Sequence, residues 1–225
     1  LPALVQFGFP LEEARDFAND GCWEVLIQGK TAFSYMPFDL LQVLQSAMGL
    51  DTDGAVEDPG SFEALYARFE AKLAAKLGAI QNWIDHAPFA SGSPATCLSM
   101  IVEGCIESGR GYHERGAQYT FLAPHAGGMA DVANSLLAIR KIVYEQSELS
   151  YGELLSALRE DWATHEPLRR RIRRTLRCYG NDDDEADAMM RRVFDTYTGL
   201  VSQVPCRTGV HRPAGISTFG REIEW

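Results

Sequence analysis

The sequence predicts a helix-rich α/β domain, and three observations predict it. Two long stretches, 61–85 and 129–146, repeat apolar residues at three- and four-residue steps, the period of a helix with one buried face. Short apolar or β-branched runs at 23–27, 119–122 and in the tail 207–225 stand between helical stretches and are bounded by Gly and Pro. No internal repeat and no low-complexity linker divides the 225 residues, which read as one piece of one domain.

Taken in order, residues 1–9 form a mixed apolar stretch suited to a strand or a buried connection. The stretch 11–19 reads as a short helix with Glu12 and Glu13 at its positive end, broken by Gly21. Strand formers fill 23–27 until Gly29. Pro37 is suited to open a helix whose Leu40, Leu41, Val43, Leu44 and Met48 share its apolar side. The acidic run 51–60 is a surface loop. Ser61 is an N-cap for the longest helix, where Ala64, Leu65, Phe69, Leu73, Leu77 and Ile80 recur. The Pro/Gly/Ser-rich 87–94 is a loop, 96–107 a helix, and Gly109, Gly111 and Gly116 punctuate a turn-rich segment. After the strand at 119–122 come the helix 129–146 and three more at 150–162, 167–177 and 183–204. The tail is strand or extended chain.

Charge and composition bound the partners. Twenty-one Lys and Arg against 31 Asp and Glu leave a net charge of −10, a poor balance for a general nucleic-acid binder. No run of eighteen apolar residues suggests a membrane-spanning helix. The first ten residues hold no basic stretch ahead of an apolar one, so no secretory signal is expected. The opening Leu1 suggests a chain cut from a longer one. Five cysteines, Cys22, Cys97, Cys105, Cys178 and Cys206, are odd in number and scattered, which favours a reducing cytoplasm over a disulfide framework.

Three patterns look like sites and read better as structure. Gly29-Lys30-Thr31 imitates the end of a phosphate-binding loop, but Glu24 stands where that loop needs Gly. Six arginines within 169–177 read as a solvated helix face, with Asp182, Asp183, Asp184 and Glu185 as nearby partners. That acidic run also complements the positive end of the helix that follows. Cys105 lies in a helical segment with no nearby base and reads as structural.

The segment Gly21-Cys22-Trp23-Glu24 is different. In extended chain, Cys22 and Glu24 point the same way, roughly 6.5–7 Å apart. A thiol and a carboxylate then face one space with room for a small substrate between them. A simply buried cysteine and a salt-bridged glutamate are the alternative on these residues alone.

Gly21-Cys22-Trp23-Glu24, Gly29-Lys30-Thr31 and Phe38-Asp39-Leu40 together resemble the G-C-x-E, G-K-T and F-N-L region of glycyl radical enzymes, the pyruvate formate-lyase-like superfamily. Cys105-Ile106-Glu107 with Gly116-Ala117-Gln118-Tyr119 resembles its C-I-E and G-A-x-Y segment. Residues 130–136, Ala-Asp-Val-Ala-Asn-Ser-Leu, resemble its A-D-V-A-N/D-S-L helix. Tyr179-Gly180-Asn181-Asp182-Asp183-Asp184 resembles its Y-G-N-D-D-D loop, and Arg212-Pro213 its Y-R-P strand, with His211 for Tyr. The likeness covers essentially the whole chain.

The resemblance implies part of a ten-stranded α/β barrel, with residues 1–225 as the C-terminal portion of the barrel domain. It implies a lyase in which Cys22 forms a thiyl radical and Glu24 acts as general base or acid, dehydrating or decarboxylating a small organic substrate. Such chemistry needs excluded water, and a partly desolvated Glu suits proton transfer near neutrality. The implied cofactor is a protein-derived glycyl radical installed by an S-adenosylmethionine iron-sulfur activating enzyme, with no metal on this chain. The implied assembly is a cytoplasmic homodimer, free or within a bacterial microcompartment, with neither nucleic acid nor membrane as partner. Trp23, Phe33, Tyr35 and Phe38 give an aromatic neighbourhood suited to an aryl- or alkyl-acetate decarboxylase, so Phe33, Tyr35 and Phe38 are candidate substrate contacts.

Departures from the pattern sharpen these expectations. Trp23 follows Cys22 where pyruvate formate-lyases carry a second cysteine, which argues against acyl transfer to coenzyme A. Tyr35-Met36 stands where many diol dehydratases carry His-Asp. The radical-bearing R-V-[ST]-G-Y segment is absent, so the isolated chain is expected to be inert, with Trp23, Phe33 and Phe38 unusually exposed. A non-catalytic binding or assembly protein derived from the same fold is the alternative function.

Overall fold

The computed structural model describes residues 2–6, 8–19, 25–52, 54, 56–86, 96–204, 210–211 and 213–217, with backbone alone at 25, 35, 84–86, 96, 210 and 211. The helices are α1 (Pro2–Gln6), α2 (Leu11–Arg15), α3 (Leu40–Met48), α4 (Phe62–His86), α5 (Thr96–Ile101), α6 (Cys105–Ser108), α7 (Met129–Ile139), α8 (Tyr151–Arg159), α9 (Glu166–Thr175) and α10 (Asp184–Gln203). The strands are β1 (Phe17–Asn19), β2 (Val25–Ile27), β3 (Thr31–Asp39), β4 (Tyr119–Gly127), β5 (Val210–His211) and β6 (Gly215–Ser217). Among the described residues no helix is long and apolar enough to cross a membrane.

The chain gathers into two compact units, the first made of Leu1–Pro37, Ile80–His125 and Val201–Ser217. Its hairpin pairs β1 with β2 antiparallel, Phe17 opposite Ile27, Ala18 opposite Leu26 and Asn19 opposite Val25. A four-stranded sheet runs β3-β4-β5, with β5 parallel to β4 and β6 also paired to β4. Phe9, Ala14, Ile27 and Phe121 form a buried cluster that seats the hairpin beside β4.

The second unit comprises Phe38–Ala79, Ala126–Leu200 and Thr218–Trp225. Here α3 packs on α7, and Tyr151 on α8 donates its hydroxyl to the Met48 carbonyl at 2.9 Å. Helix α10 meets α4 where the hydroxyls of Tyr66 and Thr196 lie 3.0 Å apart. Arg192 forks onto the Glu63 carboxylate and stacks 3.7 Å over the Tyr66 ring. Asn134 accepts the Tyr179 N–H at 2.8 Å, joining the 130–136 helix to the Tyr179–Asp184 loop.

Several expected elements change on folding. Residues 2–6 are a helix rather than a strand, with Pro2 at its first position, where proline is tolerated. The expected helix 11–19 stops at Arg15, and 17–19 is recruited into the hairpin. Pro37 lies within β3 instead of opening α3. A proline lacks the donor a central strand needs, and β3 lies at the end of the described strand order, where this is tolerated. Asp39 then caps α3, its side chain accepting from the Leu41 N–H at 2.7 Å. The helix 96–107 is interrupted at 102–104: α5 stops at Ile101, and Gly104, with a φ of 94°, is the N-cap of α6. Beyond Ile139 the 129–146 helix continues as a π-helical segment, Arg140–Glu145.

The arginine run and the acidic run do not serve one another as expected. Arg169 and Arg170 pair with Glu166 one turn back, and Arg171 pairs with Glu148. Glu185 takes Arg140 and Lys141 instead, while Asp183 caps α10 by accepting from the Ala186 N–H at 3.1 Å. For Arg169 and Arg170, local i,i+3 and i,i+4 geometry supplies the partner, while Arg171 and Glu185 find theirs across tertiary contacts.

Candidate active site

Cys22 and Glu24, the sequence's candidate catalytic pair, lie outside the described residues, and the structure brings neither into view. What it does define is their frame. The β1–β2 ladder ends at the pair Asn19 and Val25, and Cys22 and Glu24 fall in the sequence between these two strand ends.

Beyond the ladder's other end, the two limbs are joined again. Glu13 on α2 stands four residues before β1, and Lys30 three residues after β2. Lys30 Nζ reaches Glu13 Oε1 at 2.9 Å and Glu103 Oε2 at 3.4 Å. The second Glu13 oxygen accepts the Tyr119 hydroxyl, and Gln118 Nε2 donates to Oε1 at 3.3 Å. The Glu13 carboxyl is held below its ordinary range, first by the Tyr119 hydroxyl and then by Lys30. Burial and the bond to Glu13 push the Tyr119 phenol up, and Glu13 does the same for Lys30.

Backbone hydrogen bonds fasten the same region. Glu103 N donates to Gly29 O at 2.8 Å, Gln118 N to Glu103 O at 2.9 Å, and Tyr119 N to Lys30 O at 3.0 Å. The Gly29-Lys30-Thr31 turn is thus a splice between the hairpin and the 103–119 segment. Lys30 is committed to two carboxylates, which is poor preparation for a phosphate.

Phe33, a candidate substrate contact, is half-buried on β3. Its N–H donates to the Tyr112 hydroxyl at 3.1 Å, and its ring meets the His125 imidazole edge-on at 6.3 Å between centroids. His125 is 2% exposed. Gly215 explains how the ring fits, since a Cβ there would fall 2.0 Å from its Cδ2. Tyr35 lies on β3 with its side chain outside the described residues. Phe38 corrects the expected exposure: it is 8% exposed and packs on Tyr197 at 6.1 Å between ring centroids. Trp23 lies outside the described residues.

The cysteines sort by environment. Cys105 is 2% exposed between Ala32 and Ala117, and burial, with the Glu107 carboxylate, raises its thiol pKa. It is a packed thiol, as the sequence suggested. Cys97, Cys105 and Cys178 are unbonded, while Cys22 and Cys206 are not described. No three metal-ligating side chains gather among the described residues.

The sequence marks Glu13 only as a helix-end carboxylate and Tyr119 only as a motif and strand residue, and it does not mark His125. The partners of Glu13 sit 17 and 106 positions away, and no local periodicity reports such a pairing. For His125 the available signal was a histidine in an apolar run before Gly127-Gly128.

Comparison with known proteins places this frame. The family described as pyruvate formate lyase-like matches residues 1–224. A (2S)-3-sulfopropanediol dehydratase from Klebsiella oxytoca is 31% identical over 219 residues, covering 90% of this chain and 26% of that protein. The hydroxyproline dehydratase of Clostridioides difficile, solved with its substrate bound, superposes with a TM-score of 0.82 at 26% identity, over 95% of this chain and 29% of that one. A glycyl radical enzyme from Archaeoglobus fulgidus gives 0.77 at 25% identity, over 96% and 29%. The chain therefore spans between a quarter and a third of the length of these relatives. It belongs to the pyruvate formate lyase-like family of glycyl radical enzymes, as a segment of their α/β barrel.

Proposed function

We propose that this segment carries the hydrogen-transferring cysteine of a glycyl radical lyase that dehydrates a small hydroxylated compound. The observation that carries the reading is the family match across residues 1–224 with the Gly21-Cys22-Trp23-Glu24 motif inside it. Dehydratases among the relatives favour loss of water over decarboxylation. The burial of Phe38 on Tyr197 removes one member of the aromatic set on which the aryl-acetate reading rested.

The fit with a radical cofactor rests on the frame. Cys22 falls in the sequence between the paired ends of β1 and β2, whereas Cys105 is closed in by Ala32 and Ala117 and is poorly placed to meet both a radical and a substrate. The glycyl radical, where installed by an activating enzyme, supplies the hydrogen-atom abstraction that converts the Cys22 thiol to a thiyl. Cys22 then takes one hydrogen atom from the substrate carbon bearing a hydroxyl. Glu24 moves the proton that lets the neighbouring hydroxyl leave as water. Cys22 finally returns its hydrogen atom to the product carbon, so a vicinal diol becomes an aldehyde plus water with no external oxidant or reductant. The full-length enzyme works anaerobically as a dimer.

The test is the full-length enzyme, anaerobically activated and offered (2S)-3-sulfopropanediol, trans-4-hydroxy-L-proline and a simple vicinal diol. A dehydrated product is expected from at least one. With Glu24→Gln, deuterium at the abstracted position should still wash into Cys22 while water loss stops. Elimination at the native rate in that variant would overturn the role of Glu24.

A further inference from the structure

We infer that Glu13 is a positioning residue for the cysteine relay: through Lys30 and Tyr119 it clamps strands β1 and β2, which flank residues 20–24 in the sequence, to the start of β4. The inference rests on the reading of Cys22 given above.

The hairpin has only three residue pairs, and a two-stranded ladder of this size has little stability or orientation of its own. Two sets of contacts supply them. The Phe9, Ala14, Ile27 and Phe121 cluster is apolar, and apolar burial is non-directional. The Glu13 cluster is directional, because each of its hydrogen bonds demands a distance and an angle.

Its wiring is that of a clamp. Glu13 and Lys30 flank the hairpin on opposite limbs, so their 2.9 Å pair closes it beyond the last rung. Tyr119, the first residue of β4, grips both members: its hydroxyl binds Glu13, and its N–H binds the Lys30 carbonyl at 3.0 Å. One carboxylate thereby ties α2, the end of β2 and the start of β4 together. Side-chain exposures of 19% for Glu13 and 25% for Lys30 shelter the pair from the screening that weakens solvated ion pairs. The lowered pKa of Glu13 keeps the clamp charged throughout the neutral range.

Hydrogen-atom transfer is sensitive to such placement, since a misplacement of about 1 Å far from the chemistry costs up to about 100-fold in rate. In the activated full-length enzyme, Glu13→Gln and Tyr119→Phe should therefore lower kcat by about 10- to 100-fold. KM, the melting temperature and the glycyl radical signal should stay near native. Lys30→Met should behave likewise, and Lys30→Arg should recover most of its loss. Native kcat in Glu13→Gln would overturn the inference. So would a loss of kcat matched by loss of melting temperature and radical signal, which would make the cluster a folding device. Cys22→Ser runs beside them: if that variant turns over, the reading of Cys22 itself has failed, whatever the Glu13 variants do.

Discussion

Replacing Gly104 by alanine tests the close approach of residue 104 to 116–118 within the 103–119 segment, and Gly109 supplies an internal control. Both glycines have positive φ, 94° and 64°, a region that costs an L-residue about 1–2 kcal/mol. Alanine regains about 0.4–1 kcal/mol by restricting the unfolded chain. At Gly109 a Cβ meets nothing within 4 Å, so Gly109→Ala should cost about 0.5–1 kcal/mol net. At Gly104 the same Cβ falls 2.6 Å from Gln118 N and 2.8 Å from Gly116 O. These are backbone atoms, and Gln118 N is already bonded to Glu103 O at 2.9 Å. No rotamer change relieves the contact, so overpacking adds about 1–3 kcal/mol. Gly104→Ala should thus cost about 2–4 kcal/mol. Urea unfolding followed by circular dichroism measures both. Losses agreeing within about 0.5 kcal/mol would refute the reasoning, because the steric contact would then be absent.

Two further outcomes concern the second unit. Phe38→Ala should destabilise by about 3–5 kcal/mol as a core truncation against Tyr197; unchanged unfolding with a raised KM in the full-length enzyme would return Phe38 to the substrate. Burial pushes the Tyr151 phenol up to about 12 from its ordinary 10.0, so the unfolded chain ionises first. The stability due to its neutral form is complete below pH 10.0 and is lost as pH rises towards about 12. Tyr151→Phe should flatten that alkaline limb, and an unaltered limb would count against the assignment.

The helical half of the fold was legible because its signals are local. Ser61 and Ser150 cap α4 and α8 through N–H groups three residues on, and the apolar periods of 61–85 and 129–146 mark buried faces that the structure confirms. Strand β3 was hidden because Pro37 and polar Ser34 and Asp39 interrupt its pattern. Strand β4 was recognised only as far as Leu122: Thr120–Gly127 is buried throughout, so no alternation of apolar and polar residues announces it. The candidate site, Cys22 and Glu24, rests on motif order in the sequence rather than on physics, and it falls outside the described residues. The structure supplies part of that physics: Gly29-Lys30-Thr31 and Gly116–Tyr119, far apart in sequence, are hydrogen-bonded neighbours. The Glu13–Tyr119 contact joins residues 106 positions apart, and nothing near Glu13 in sequence marks it.

The most direct measurement is turnover and electron paramagnetic resonance on the same preparation of the activated full-length enzyme carrying Cys22→Ser. A serine hydroxyl yields its hydrogen atom far less readily than a thiol. The account therefore predicts an undiminished glycyl radical doublet, no product, and no deuterium exchange from labelled substrate. Product formed at a substantial fraction of the native rate, with that doublet present, would contradict it and remove Cys22 from the chemistry.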